Sequence, residues 1–178
     1  MVLGTCMTLN SCLKDNNPPP TDSSWPVPNI VSFQDNGGEG AGGAGYGSTT
    51  TPYPLYQFAL TLNGNDTAGF AAIVVYGPKS PAPVDITVNL ALDTAGMNVF
   101  NVANSLPLVC PDPSTFTFPS SVVIPKGQTQ AYARVTVNGN STPDPNALYC
   151  IPLMITSSSY GTVSGNFNVE INYFFLTN

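Results

Sequence analysis

The chain has 178 residues, of which 42% are hydrophobic and only 8% are charged, with a formal net charge of −6. Its 4 Lys and Arg residues are too few for the basic patch that binding to nucleic acid or to an anionic membrane surface requires, and no apolar run approaches the roughly 20 residues that span a bilayer. The 18 Pro and 16 Gly residues predict many turns and argue against long helices, and the length suits a single domain.

The N-terminal segment resembles the signal of a bacterial lipoprotein. In the lipobox of that family a leucine stands three positions before a cysteine and a small residue directly precedes it, a pattern that Leu9 and Cys12 match. The matching cysteine, Cys12, is the one that becomes the lipidated N-terminus. Lys14 and Asp15 also resemble the tag that directs some Bacteroidota lipoproteins to the cell surface. We therefore expect residues 1–12 to be a signal-like segment and the protein to lie on the cell outer membrane, held by the lipid anchor alone. A basic region upstream is missing, so either the true start lies further upstream or the match is accidental.

Residues 13–28 are a Pro-rich linker by composition, for which we predict a disordered, extended conformation. Trp25 is the only tryptophan of the chain. Its ring either offers a flat apolar face to a sugar or packs on the following domain and fixes the linker.

Eight short segments within residues 29–178 show the apolar alternation or the apolar runs of β-strands, with turn signals between them. In the clearest stretch, residues 131–137, apolar residues alternate with Tyr132 and Arg134. This spacing favours an all-β, antiparallel β-sandwich over a parallel sheet, which would need helical crossovers. The predicted strands are Asn29–Gln34, Tyr53–Leu62, Phe70–Tyr76, Val84–Leu92, Val122–Ile124, Ala131–Val137, Tyr149–Thr156 and Asn168–Phe175.

Two orientations follow from these patterns. The alternation places Val84 on the buried face of its strand. Residues 93–104 are expected to contain a helical turn or two, with Met97, Phe100 and Val102 against the core.

No residue pattern points to catalysis, a cofactor or a metal. The chain has no His, which removes the commonest general base and a common metal ligand. The glycine motif at 38–43 is not followed by the helix start that a dinucleotide site needs. Most acidic residues lie at turns, where they bond their own backbone, and Asp85 and Glu170 lie on strands where we expect them to face solvent. Turn chemistry also explains the oxygen-rich loops 63–66 and 138–144, so we predict a non-enzymatic protein without a metal or cofactor.

Cys110 and Cys150 have two alternative states. In an oxidising compartment they can close a loop of about 40 residues, worth on the order of 3–4 kcal/mol in the chain-entropy model. Otherwise they are one half-buried and one buried thiol.

The C-terminal third resembles a known family, the domain of unknown function 1735. The residues that carry this resemblance are Ile124-Pro125-Lys126-Gly127-Gln128, Tyr149-Cys150-Ile151-Pro152-Leu153 with Ile155, Val163-Ser164-Gly165-Asn166, and the closing strand. The family is an immunoglobulin-like sandwich near the N-terminus of Bacteroidota surface lipoproteins. Its members are encoded among glycan-utilisation systems and often precede a glycoside hydrolase or a glycan-binding module. The resemblance thus implies an immunoglobulin-like fold and an accessory role in glycan use.

We therefore expect a non-catalytic cell-surface lipoprotein domain that assists glycan capture by non-covalent binding. The candidate sugar-stacking aromatics are Trp25, Tyr46, Tyr53 and Tyr160. The alternative is a structural or adhesive module that binds cell-surface proteins or acts as a spacer.

Two short segments resemble the Asp-Thr-Ala sites that Bacteroidota O-glycosylate on exported proteins. They contain Thr67 and Thr94, which are therefore the expected modification sites.

Overall fold

In the computed structural model of the protein, the residues described are 29–34, 55–61, 67–77, 81–138, 144, 146–165 and 168–177. The predicted signal-like segment 1–12 and linker 13–28 lie outside them. The described elements, in chain order, are β1 (Ile30–Phe33), β2 (Leu55–Thr61), β3 (Thr67–Tyr76), β4 (Ile86–Leu92), α1 (Thr94–Asn104), β5 (Leu108–Val109), a 3₁₀ turn (Pro113–Thr115), β6 (Phe116–Thr117), β7 (Ser121–Ile124), β8 (Gln130–Asn138), β9 (Leu148–Ser158), β10 (Thr162–Val163) and β11 (Val169–Thr177).

The strands form two sheets with a shared core, which confirms the predicted all-β sandwich. Sheet 1 has the order β10-β1-β3-β8-β6, and sheet 2 has the order β2-β11-β9-β4-β7 with β5 beside β9. Most pairings among the described strands are antiparallel, but β1 with β10, β2 with β11 and β5 with β9 are parallel. The sequence predicted antiparallel pairing throughout, because apolar alternation reports which face a residue occupies and not the direction of the neighbouring strand.

The core between the sheets is built from alternate residues of each strand. On β8, Ala131, Ala133, Val135 and Val137 are buried, whereas Tyr132 is 55% exposed. The alternation predicted for this strand is therefore confirmed, and it fixes which side chains of β8 reach the surface.

Helix α1 covers the outer face of sheet 2. It begins after Asp93, whose carboxylate caps the helix by accepting a hydrogen bond of 2.9 Å from the Gly96 amide. It ends at Ser105, which takes a left-handed conformation with a φ of 54°. Its buried residues join a second apolar cluster, which consists of Met97, Phe100, Leu108, Cys150, Val169 and Ile171.

Two apolar residues that we expected in the core are exposed. Val84 is 45% exposed because β4 begins only at Ile86, so the pleat that would turn Val84 inward does not include it. Val102 is 84% exposed. It lies two residues after Phe100, a rotation of roughly 200° around the helix, and therefore points away from sheet 2.

Strand β11 is buried on both faces because it lies inside sheet 2 and between the sandwich core and α1. Val169 and Ile171 belong to the cluster under the helix, whereas Phe174 belongs to the core between the sheets. Glu170 and Asn172 share the face of Phe174 and are only 3% and 0% exposed. The expectation that Glu170 faces solvent is therefore wrong, since both sides of its strand are covered. Asp85 is exposed, as expected.

Candidate functional site

The chain crosses from sheet 2 to sheet 1 between β7 and β8, and a groove of about 640 Å³ opens beside this crossing. The connecting turn is closed by the Gln128 amide, which donates to the Pro125 carbonyl at 2.9 Å. The backbone of Ala82 makes two hydrogen bonds of 2.8 Å to this turn. Its carbonyl accepts one from the Gly127 amide, and its amide donates the other to the Gln128 carbonyl. Gly127 has a φ of 84°, which a residue with a Cβ adopts only with strain. The turn beside the groove is thus held by backbone hydrogen bonds.

The two walls of the groove differ in chemistry. The wall on the β7 side is mainly apolar and includes Val123, which is 49% exposed, and Pro125 just after the strand, with Ser121 as its polar member. The β8 wall carries Gln130, Tyr132 and Arg134, which lie on the outward face of the strand. An apolar wall beside a row of hydrogen-bonding groups suits a ligand that has both faces, as a sugar ring does.

Tyr132 is the aromatic residue of this groove. Its hydroxyl oxygen accepts a hydrogen bond of 2.5 Å from the Gln130 side-chain amide. This bond joins the end of the ring to the Gln130 side chain and restrains the ring, while Tyr132 stays 55% exposed. Its cross-strand partner on β3 is Ile73, so the neighbouring residue in the sheet is apolar.

Arg134 follows two residues later on the same face. It is exposed, and its partner across the ladder is Ala71, which is too short to shield it. Within the described part of the chain no carboxylate pairs with it. The carboxylate of Asp85, near the turn, instead accepts a hydrogen bond of 2.7 Å from the Lys126 amide.

Of the residues that the sequence nominated as binding or anchoring positions, Cys12, Trp25, Tyr46 and Tyr53 lie outside the described residues. Tyr160 is described and is 37% exposed. Tyr160 is not among the residues that line the groove.

Part of the Tyr160 ring is occupied by packing within the domain. Its centroid lies 6.0 Å from that of Tyr76, with an angle of 55° between the rings. Tyr76 is buried and is itself fixed by donating a hydrogen bond of 2.8 Å to the Asn29 side chain. Tyr160 therefore offers a smaller free face than Tyr132.

Thr67 and Thr94 are both exposed, the first at the start of β3 and the second at the first position of α1. Both hydroxyl groups are thus on the surface, and their glycosylation stays a prediction. The neighbouring carboxylate of Asp93 is already engaged as the helix cap.

Cys110 and Cys150 are free thiols in the structure. Cys150 is fully buried in the cluster under α1, and the half-buried Cys110 packs against the same cluster. Burial raises the pKa of both thiols, and the proximity of Cys110 raises that of Cys150 further. The disulfide stays a prediction.

In reduced, native protein we expect an alkylating reagent to modify Cys110 well before Cys150, because reaction needs an accessible thiolate. Peptide mass mapping after timed alkylation measures this, and equal rates at the two sites would contradict it. The same mapping of denatured, unreduced protein from an oxidising compartment decides the disulfide: labelling of both residues excludes the bond.

Sequence reasoning did not nominate Tyr132 and Arg134 as a site. The alternation along β8 placed both side chains on the outward face, which was the available signal. That face belongs to a groove only because β7 and β8 lie in different sheets, and no local pattern encodes this.

Other kinds of site are not formed by the residues that the structure describes. They contain no group of three or more His, Cys, Asp or Glu residues placed to hold a metal ion. A helix long and apolar enough to cross a membrane is also lacking among them.

Comparison with solved structures finds the same fold in Bacteroides proteins. A candidate carbohydrate binding protein from Bacteroides ovatus ATCC 8483 superposes with a TM-score of 0.61 and 13% identity, over 82% of this chain and 36% of that chain. A multidomain protein including DUF1735 from Bacteroides ovatus has a TM-score of 0.60 and 14% identity, over 83% and 45% of the two chains. An auxiliary nutrient binding protein from Bacteroides thetaiotaomicron VPI-5482 has a TM-score of 0.56 and 15% identity, over 70% and 44%. The chain thus spans between about a third and a half of the length of these proteins.

A search of the curated proteins finds no match to the sequence. Residues 41–161, which are 121 of 178, match the model of a family described as an N-terminal domain. Because the match covers more than half of the chain, the chain belongs to that family, and the fold shared with the DUF1735-containing protein is consistent with the predicted family of domain of unknown function 1735.

Proposed function

We propose that the domain binds glycan non-covalently in the groove between β7 and β8, with Tyr132 as the surface on which a sugar ring stacks. The observation that carries this proposal is the exposed, hydrogen-bonded ring of Tyr132 beside a rigid turn. An aromatic ring offers a flat apolar platform, and the groups around it can bond the rim of hydroxyls that a sugar presents. Gln128 and Ser121 are exposed in the same groove and extend this set.

The structural relatives support the ligand class. One is described as a candidate carbohydrate binding protein and another as an auxiliary nutrient binding protein. Both share the fold at low identity, so the ligand class is a proposal for this chain and its chemical basis is the groove.

The proposal includes binding without catalysis. The chain has no His, and the described acidic residues do not form a pair in the groove. Glycoside hydrolysis ordinarily needs two carboxyl groups facing one another across the bond, and Arg134 and Tyr132 cannot supply them.

The proposed location is the outer face of the cell, with Cys12 carrying the lipid. This part rests on the lipobox pattern that ends at Cys12. Radiolabelled palmitate incorporated by the bacterial host, but not by the Cys12→Ser variant, would support it. An unacylated mature protein in the aqueous fraction would contradict it.

Replacing Tyr132 with Ala is expected to weaken glycan binding by at least about tenfold, because the loss of a central aromatic contact typically costs more than 1.4 kcal/mol. Affinity electrophoresis or calorimetry against a panel of host and plant polysaccharides measures this. Tyr132→Phe keeps the ring and should retain most of the affinity, and Tyr160→Ala is the matched control outside the groove. Unchanged binding by Tyr132→Ala, or no binding by wild type across the panel, would overturn the proposal.

The alternative of a spacer has one observation in its favour, since the matching family is described as an N-terminal domain and the two related structures from Bacteroides ovatus are about twice as long as this chain. A spacer predicts no ligand for the groove, so the same panel separates the two functions.

A further inference from the structure

We propose that the glycan bound in the groove carries a negative charge, a carboxylate or a sulfate, which Arg134 recognises. This inference rests on the proposed glycan function and narrows it to acidic glycans. It starts from the fact that Arg134 is the only arginine of the chain.

The chemistry of the guanidinium group favours such a ligand. Its N–H donors form a planar fork that matches the two oxygens of a carboxylate or of a sulfate, and charge-assisted bonds of this kind are about twice as strong as neutral ones. The ammonium group of a lysine presents a point charge without this planar arrangement of donors. An arginine that serves no structural pair is therefore most useful where an anion is read by geometry.

The surroundings of Arg134 leave it free for this role. It is exposed on β8, it faces Ala71 across the ladder, and no residue within the described ranges pairs with it. The hydroxyl of Tyr132 accepts its hydrogen bond from the Gln130 side chain. Tyr132 and Arg134 are two residues apart on the same exposed face of β8, so a sugar on Tyr132 can direct a charged substituent toward Arg134.

Arg134 has no opposite charge beside it among the described residues that line the groove. None of the described carboxylates lines it, although the protein as a whole has a net charge of −6. The general field of the protein repels anions, so any preference for an acidic glycan has to arise from this local site. The described carboxylates are those of Asp85, Asp93, Asp112, Asp144 and Glu170.

The test compares polysaccharides that differ mainly in charge. The pairs are polygalacturonic acid with its methyl ester, dextran sulfate with dextran, and hyaluronan with its methyl ester. Calorimetry or affinity electrophoresis is run with wild type and with Arg134→Gln, Arg134→Lys and Tyr132→Ala, after circular dichroism has shown that each variant is folded.

We expect wild type to bind at least one charged member at least about tenfold more tightly than its uncharged partner, with the carboxylate and sulfate pairs reporting which anion is read. Arg134→Gln should remove that preference, and Arg134→Lys should restore only part of it because the fork is lost. Added salt should weaken the charged complex and not the neutral one.

The outcomes separate the two proposals. If a neutral glycan binds through Tyr132 and charge makes no difference, the proposed function stands and the acidic preference is wrong. If Arg134→Gln binds the charged member as wild type does, the preference is also wrong. If Tyr132→Ala changes nothing, or no member of any pair is bound, both proposals fall.

Discussion

Replacing Glu170 with Gln is expected to stabilise the folded protein increasingly as the pH rises, by up to about 5 kcal/mol above pH 8. Glu170 is only 3% exposed and lies in the core of the sandwich. Burial raises the pKa of its carboxyl from 4.5 to about 8. Both amide atoms of Asn172 lack a hydrogen-bond partner in the described structure, so that residue offers the charge little compensation.

The direction of the effect follows from proton binding. Between pH 4.5 and about 8 the folded state keeps the Glu170 proton that the unfolded state has released. Stability therefore falls as the pH rises through this window, by about 1.4 kcal/mol per pH unit, and levels off above it. Gln carries no titrating proton and should abolish this slope while leaving stability near pH 4 almost unchanged.

Urea unfolding of both proteins at a series of pH values from 4 to 9 measures the slope. Glu170→Leu is the second variant, for the case in which the Gln amide is itself poorly accommodated, and it should remove the same slope. Parallel stability curves for wild type and both variants would show that Glu170 is not the buried acid that this structure indicates.

Replacing Phe100 with Ala is expected to cost about 3–5 kcal/mol of stability, whereas replacing Val102 with Ala should cost less than about 0.5 kcal/mol. Phe100 is 0% exposed beneath α1, and Val102, two residues later, is 84% exposed. The first change removes a ring from the contact between helix and sheet, and the second removes two methyl groups from water. The two residues are close together in α1, but Phe100 lies on the buried face of the helix and Val102 on the exposed face.

Thermal and urea unfolding of the two variants measures this difference. Near-equal costs at the two positions would mean that α1 does not dock on sheet 2 through this face. Met97→Ala, on the same buried face, should resemble Phe100→Ala in direction.

Much of the fold could be predicted because the alternation of apolar and polar residues within a strand indicates which of its side chains are buried. The alternation over β8 was sufficient to place Tyr132 outward and Val135 inward. The ends of the strands were harder to predict, and Val84 is an example, because it was assigned to a strand that begins only at Ile86. The two-residue strands β5, β6 and β10 are too short to show an alternation. Strand direction was also out of reach, because parallel and antiparallel partners bury the same faces.

The features that sequence reasoning missed depend on what lies above a strand and not on the strand itself. Glu170 alternates with apolar residues and so looked solvent-facing, but the second sheet covers its side of β11. Phe100 and Val102 are equally apolar, and only the helical rotation separates them. The groove of Tyr132 exists because neighbouring strands enter different sheets. The burial of Glu170, the orientation of α1 and the groove all depend on how the two sheets and the helix pack together.

The parallel pairing of β2 with β11 has a consequence for how the protein is made. Leu55 pairs with Ile171, so an early segment finds its hydrogen-bonding partner only after more than one hundred further residues have been synthesised. Closing so long a loop is slow. The nascent chain therefore leaves β2 without this partner until synthesis is nearly complete, and β2 is the strand that a chaperone would have to protect in the meantime.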